Sequence, residues 1–438
     1  MLNGFETYSS YKDSGVDWLG SIPSEWDLLP AMRFIQESKN KNEGMIEDQV
    51  LSLSYGNIVK KSSDQLTGLV PESFETYQIV EKGDIIIRGT DLQNDKTSLR
   101  TGLSKYRGII TSAYLNLRHK EDVCPKYLHY FFHSMDISKS LYKFGSGLRQ
   151  NLSFEDFKRM QIPDLEKVQQ TAIASFLDDK TEKVDRAIAI KKAQIARLQE
   201  RKQILIQTAV TRGLDPNVRM KESGVDWIGE IPAHWEVKRL KHLITSQAGY
   251  AFPSTQFSNV GTPIIRIGDL KATGHVSLVS APRVPERFND LVTVFGLNRG
   301  DILMAMTGGT IGKTAEYQSK AIALLNQRVC RFRNKNKDNL DFGFFKLFVE
   351  TKYWKTFIDF HAFGGAQPNI SDNTVLNMLI PIPNLYEQKT IVAYFQRLQA
   401  NFSMLISLQK AQIQHLREYR ASLINAAVTG KIKVPNNG

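Results

Sequence analysis

Apolar positions along this chain change their period from two to three and a half, and they do so twice. In the first ~110 residues of each half, short apolar or alternating runs are punctuated by Gly, Asn and Asp, which is the pattern of strands. The clearest runs are residues 50–55, 84–87 and 109–117, then 264–267, 301–306 and 321–332. An aromatic-rich helical run follows in both halves, at 126–144 and 342–360. Ser153 with Asp156 three residues on has the form of a capping box opening a short helix after Asn151. A long polar helix then closes each half.

That last helix carries a heptad seam. With Leu177, Val184, Lys191, Leu198 and Leu205 at position d, position a holds Thr181, Ile188, Ile195, Lys202 and Ala209. A shift of 218 residues gives Phe395, Phe402, Gln409, Leu416 and Leu423 at d, with Gln399, Ile406, Ile413, Arg420 and Ala427 at a. Polar residues interrupt both seams at matching sites, Lys191 with Gln409 and Lys202 with Arg420. A 3.5-residue seam wants a partner helix, and the other copy is the expected one. Because the first helix delivers the chain to the second half, the second must run back, so the coil is expected to be antiparallel. Leu177 to Ala209 spans 32 steps, about 48 Å at 1.5 Å per residue. Successive major grooves on one face of a duplex lie ~34–36 Å apart, so a spacer of this size suits two separated half-sites.

The repeat extends well beyond the helices. Ser14–Trp26 (SGVDWLGSIPSEW) matches Ser223–Trp235 (SGVDWIGEIPAHW) at nine of 13 positions. Gly83-Asp84-Ile85-Ile86 matches Gly300-Asp301-Ile302-Leu303. Residues 144–163 match 363–381, and Ala209-Val210-Thr211 matches Ala427-Val428-Thr429. Four matches in one order at nearly constant offset make the chain an internal duplication. Between these landmarks, residues 40–79 and 246–298 share little.

Composition narrows the class. At 438 residues, 42% hydrophobic and 23% charged, the chain is an ordinary packed protein of roughly three domains. No run approaches the ~18 apolar residues of a spanning helix, and residues 1–11 show no secretory signal. Two cysteines, Cys124 and Cys330, are too few for a disulfide framework or zinc cluster. A reducing, cytoplasmic setting without a membrane partner is expected. The net charge of +12 favours a polyanionic partner.

Catalytic patterns are weak. Thr307-Gly308-Gly309-Thr310-Ile311-Gly312-Lys313-Thr314 has Thr where a phosphate-cradling loop needs its first Gly, so a Gly-rich hairpin is the better reading than an ATP site. Gly145-Ser146-Gly147 lacks the third glycine of a dinucleotide fingerprint and follows a helix rather than a strand. Its counterpart Phe363-Gly364-Gly365 suggests a structural loop shared by both halves. The Asn/Asp-Pro-Pro-aromatic tetrapeptide of amino-methyltransferases is missing from both halves. His129 and His133 could face one metal, but no third ligand stands beside them and their neighbours look like core. Trp18, Trp26, Trp227 and Trp235 are expected to pin the opening segment to its domain.

Basic residues on the strand-and-loop parts are the candidates for contact with DNA. They are Lys60, Lys61, Arg88, Lys96, Arg100 and Arg107 in the first half, and Arg266, Lys271, Arg283, Arg287, Lys313 and Arg328 in the second, where the basic run 328–337 begins. Arg beside Gln, Asn, Ser and Thr is the vocabulary of base reading.

With these features in hand, the chain resembles the specificity subunit of type I restriction-modification systems over essentially its whole length. The paired SGVDW[LI]GxIPxxW openings carry the resemblance, with the Asn-[Leu/Ile]-Ser segments at Asn151 and Asn369. Gln169-Gln-Thr-Ala-Ile-Ala-Ser-Phe-Leu and Gln388-Lys-Thr-Ile-Val-Ala-Tyr-Phe, leading into the long helices, add to it. Asp178 and Asp179 depart from the second copy, which has no acidic pair after Phe395. The resemblance implies an α+β fold of two pseudo-symmetric recognition domains separated by an antiparallel two-helix coiled coil. The expected domains are 1–165, helix 166–212, 213–383, and 384–438 as second helix and tail. It further implies a non-catalytic chain in which each domain reads half of an asymmetric, bipartite duplex DNA site. The helices would set the spacer and dock two methyltransferase subunits carrying S-adenosylmethionine. Restriction/translocase subunits would bring ATP and magnesium. The rival reading is a coiled-coil scaffold that does not read DNA sequence.

Overall fold

The computed structural model describes residues 4–62, 73–90, 92, 98–144, 151–362 and 368–435. Two compact units make up the chain, residues 1–192 with 410–438, and residues 193–409. The units do not follow the boundaries expected at 165, 212 and 383. Each takes a share of both long helices, Lys167–Arg212 and Leu385–Val428.

Within each unit the opening and closing segments zip together. Asp27–Pro30 pairs antiparallel with Gln161–Asp164, and Glu236–Arg239 pairs in the same way with Leu379–Ile382. Ahead of them the repeated motif forms a small hairpin, Tyr11–Asp13 with Ser21–Pro23 and Met220–Glu222 with Glu230–Pro232. Ser14 Oγ and Ser223 Oγ each accept the N–H two residues on, from Val16 and Val225, and so shape the two turns identically. Trp26 and Trp235 end the motif and are 2% and 0% exposed. Each buries about 200 Å², worth about 5 kcal/mol before entropic costs. The tryptophans therefore act as anchors, as the pattern suggested.

A four-stranded antiparallel sheet forms the shared frame. Its order is Ile35–Glu37, Leu115–His119, Ile85–Ile87, Thr101–Leu103 in the first unit. In the second it is Ile244–Ala248, Val329–Asn334, Ile302–Ala305, Thr314–Glu316. What is added to the frame differs. The first unit adds a hairpin, Leu51–Ser54 with Asn57–Lys60, and a pair, Gln78–Val80 with Gly108–Ile110. The second adds a three-stranded sheet of Arg283–Val284, Thr262–Ile265 and Leu324–Leu325, whose last pairing is parallel. Most of these added strands fall in the segments with little sequence similarity; Gly108–Ile110 and Leu324–Leu325 lie outside them.

Several expected elements are interrupted. The run 109–117 is two strands, because Tyr114 N–H turns back to Thr111 O at 3.2 Å. The run 321–332 likewise divides between two sheets. The aromatic run 126–144 is the helix Pro125–Ile137 followed by a tight turn, with Lys139 at φ 60 between them. The run 342–360 divides into Phe342–Phe348 and Lys352–His361, since Thr351 leaves helical geometry and caps the second piece, accepting the Trp354 N–H at 3.3 Å. Ser153 and Asp156 do form a reciprocal capping box.

The two long helices pack antiparallel. Ile173, Ala174 and Leu177 share the first core with Leu423, Ala426, Ala427 and Val428. Ile206, Ala209 and Val210 share the second with Ile391 and Phe395. Between these ends Arg420 meets Asp185 at 3.6 Å. Gln399, expected at position a, is exposed, and the neighbouring Leu398 packs inward in its place.

The first unit is completed by the last described residues of the chain. Lys433 N–H donates to Glu6 O at 2.7 Å, and Ile432 and Val434 are buried. Gly430, at φ 72, lies so close to Pro23 and Trp26 that a Cβ would fall 2.4 Å from the proline ring. Gly213, at φ 77, ends the first long helix against Pro232 and Trp235 in the same manner. Each opening motif thus receives the end of a long helix.

Candidate nucleic-acid interface

Buried ion pairs stiffen the frame before any ligand is considered. Asp84 and Asp301 follow the repeated glycines 83 and 300. Each caps its own turn, accepting the N–H of Glu81 at 2.9 Å and of Asn298 at 2.7 Å. Each also receives an arginine from the adjacent strand, Arg118 at 2.9 and 2.8 Å and Arg333 at 2.7 and 2.8 Å. Asp84 raises the Arg118 guanidinium above its ordinary range, chiefly through that hydrogen bond. With the carboxylates buried but the arginines 28% and 32% exposed, removing one partner is expected to cost less than the ~3–5 kcal/mol of a fully buried pair. The repeated Gly-Asp was visible in the sequence, but its partners were not, because the arginines stand 34 and 32 residues away.

A second repeated device holds each aromatic helix against a long helix. Gln170 Oε1 accepts the Cys124 N–H at 2.9 Å and its amide donates to Leu165 O at 2.8 Å. Gln388 accepts the Asp341 N–H at 2.7 Å and donates to Pro383 O and Asn339 O. Gln170, rather than Gln169, is therefore the counterpart of Gln388.

The twelve basic candidates separate by exposure and partner. Arg100 is corrected: it is fully buried, its guanidinium donating to Tyr142 Oη, Arg88 O and Thr90 O, so it orders the interior and cannot meet DNA. Arg107 is half-exposed and pairs with Glu47 and Glu81, both at 3.1 Å. Arg88 ends the strand Ile85–Ile87 and is half-buried. Lys60 is exposed and lies over the Tyr106 ring at 4.8 Å, with Lys61 beside it. Lys96 lies outside the described residues, as do 145–150 and 363–367, where the two short glycine motifs fall.

In the second unit Arg283 donates to Gly261 O at 2.8 Å and lines an open cleft of about 520 Å³ with Phe257, Ser258, Leu278, Val279 and Pro282. Arg266 reaches Ser280 O at 3.4 Å, and Lys271 donates to Gly268 O at 3.0 Å. Arg287 contacts Gln256 and lies over the Phe288 ring. Arg328 is exposed, but farther along the same run Arg331 is buried and donates to Gly296 O and Val294 O. Lys313 sits on a hairpin joining Ile302–Ala305 to Thr314–Glu316. The backbone of that hairpin is already bonded, Gly308 N–H to Pro368 O and Gly312 N–H to Ala305 O, both at 2.9 Å, and Gly312 O accepts the Trp354 indole at 2.9 Å. A phosphate cradle needs such N–H groups free ahead of a helix.

His129 and His133 stack with ring centroids 5.5 Å apart on the first aromatic helix, and His133 Nδ1 lies 3.2 Å from Thr101 Oγ1. Burial lowers their pKa values to about 4 and about 3, so both are neutral at pH 7, His133 in the interior and His129 at its edge. No cluster of three metal-ligating side chains occurs among the described residues.

On the long helices, Leu177, Val184, Ile188, Phe395, Phe402, Ile413 and Leu423 are buried. Ile195, Leu198, Leu205, Ile406 and Leu416 are half-buried. Away from this seam stand apolar residues that pattern reading did not single out. Val168 and Ile190 are exposed in the first unit, and their counterparts at offset 218, Tyr386 and Leu408, are exposed in the second. Among the described residues no helix is long and apolar enough to cross a membrane.

A repeated four-stranded frame carrying two different additions, with a share of both long helices in each unit, makes this a duplicated two-unit protein. Known proteins agree. Residues 232–415 match the family described as type I restriction modification DNA specificity domain. The type I restriction enzyme MjaVIII specificity subunit of Methanocaldococcus jannaschii is 26% identical over 426 residues, 95% of each chain. The EcoBI specificity subunit of Escherichia coli is 28% identical over 214 residues, 48% of this chain and 42% of its own. A solved chain from work on complex assembly and conformational transition of the type I R-M system shares the fold, with TM-score 0.63 and 17% identity, over 93% of this chain and 98% of that one. Over nearly its whole length the chain is similar to specificity subunits of type I restriction enzymes, and its residues 232–415 carry the match to that family's DNA specificity domain.

Proposed function

We propose that each unit reads one half of an asymmetric, bipartite DNA site and that the chain itself carries no catalytic step. The observation that carries this reading is the shared four-stranded sheet with different additions in the two units. One frame gives one manner of approach to a duplex; different additions give different base contacts, so the full site is not a palindrome. The exposed Lys60 and Arg328, with the half-buried Lys61 and Lys271, supply phosphate attraction, consistent with the net charge of +12.

The helical pair then fixes the unread gap and docks two methyltransferase subunits, one on each of the matching exposed apolar positions, Val168 with Ile190 and Tyr386 with Leu408. Those subunits would bring S-adenosylmethionine and methylate adenine. Restriction subunits would add ATP, magnesium, translocation and cleavage to the same cytoplasmic assembly.

Selection from a random duplex pool by this chain with its cognate methyltransferase subunits tests the reading. Two different short motifs at a fixed gap are expected. A single ungapped motif would overturn the two-unit geometry, and no enrichment from an intact complex would leave a scaffold.

A further inference from the structure

The hairpin Leu51–Ser54 with Asn57–Lys60, one of the additions peculiar to the first unit, turns through two residues, Tyr55 and Gly56, with φ of 48 and 79. This is the tight turn whose two central residues both need positive φ, and Asn-Gly is the sequence it favours. Tyrosine is a poor choice there, because a Cβ in left-handed geometry meets the following carbonyl. Packing does not compensate, since Tyr55 is 90% exposed. The tip is nonetheless held firmly: Gly56 is buried, and a Cβ on it would lie 3.2 Å from the Leu99 side chain and 3.6 Å from the His133 ring. The turn therefore projects an aromatic ring into solvent from a fixed point. Beside it stand exposed Asn57, Val59 and Lys60, with Lys60 over the Tyr106 ring.

Resting on the reading that this unit binds half of the DNA site, we propose that Tyr55 is a base-contacting residue whose ring packs against the bases of that half-site. A strained aromatic, 90% exposed on a pinned tip and flanked by an amide and a lysine, adds little to the core. It has the chemistry of apolar contact with bases, and its strain is of the kind retained at functional positions.

The test compares Tyr55→Asn and Tyr55→Phe with wild type, each in complex with the methyltransferase subunits, on the DNA site that the wild-type complex selects. Tyr55→Asn creates the favoured Asn-Gly turn, so the thermal midpoint of the chain is expected to rise. Affinity is expected to fall about tenfold, with discrimination lost at one or two base pairs of one half-site and kept in the other. Tyr55→Phe keeps affinity within about threefold, as expected if the ring rather than the hydroxyl makes the contact. Unchanged affinity and discrimination in Tyr55→Asn, while the wild type selects a bipartite site, would overturn the inference alone. Weakened assembly with methyltransferase and intact DNA reading would overturn it in favour of a protein contact. A wild-type complex that selects no site would overturn both this inference and the reading it rests on.

Discussion

At position 133 the first unit buries a histidine where the second has Glu350, and this exchange gives the units different responses to acid. The helix starts that set the equivalence are Cys124 and Asp341, each donating its N–H to a matching glutamine. In the second unit Glu350 answers Lys202 from the long helix at 3.5 Å. The counterpart of Lys202, Arg420, instead faces His129 and His133 and adds to the burial that keeps them neutral, as Lys105 does for His129 and Lys139 for His133. Their ordinary pKa is near 6.5, and in the fold it falls to about 4 and about 3. The stability they contribute is complete above pH 6.5 and is lost as pH falls toward the folded values, at about 1.4 kcal/mol per pH unit for each. Asp136, whose carboxyl is raised by burial, opposes this in part by taking up its proton earlier in the folded state. Hydrogen exchange at pH 7 and pH 5, corrected for intrinsic rates, is expected to show protection lost in 125–137 and retained in 342–361. Equal loss in both would refute the histidine account.

Helices and strands set the next scale. If the helical pair fixes the gap between half-sites, one heptad added to each helix, after Lys192 and after Gln409, lengthens it by about 10 Å, or about three base pairs. Selection with such a chain is expected to return the same two motifs farther apart; altered motifs would refute the ruler. These helices were legible because a seam is a local, periodic property, and the duplication printed it twice. The strand frame was legible for the same reason at Gly83-Asp84 and Gly300-Asp301. Arg100 was misread because nothing near it in sequence announces burial: Asp136, which accepts its backbone N–H, and Tyr142, which accepts from its side chain, arrive 36 and 42 residues later. The break at Thr351 was hidden because an aromatic run looks equally helical on either side of a cap. Tyr55 went unnoticed since φ is not written in a residue name.

Over the whole molecule the two units are alike in frame and unlike in connectivity. The second is one uninterrupted stretch, 193–409, whereas the first joins residues 1–192 to 410–438. A free chain truncated after residue 409 is therefore expected to resist protease over 193–409 while its first 192 residues are nicked. Protection of both halves in that truncated chain would contradict this.

The tail that seats Gly430 beside Trp26 and bonds Lys433 to Glu6 thus has a consequence for the order of synthesis. At about 5–20 residues per second, translation leaves some 10–40 s between the emergence of residue 192 and of the segment that completes its unit. Through that interval the apolar seam at Leu177, Val184 and Ile188 has no partner in its own unit. The half made first is the half finished last, and its exposed seam is where a chaperone, or an aggregate, would find the nascent protein.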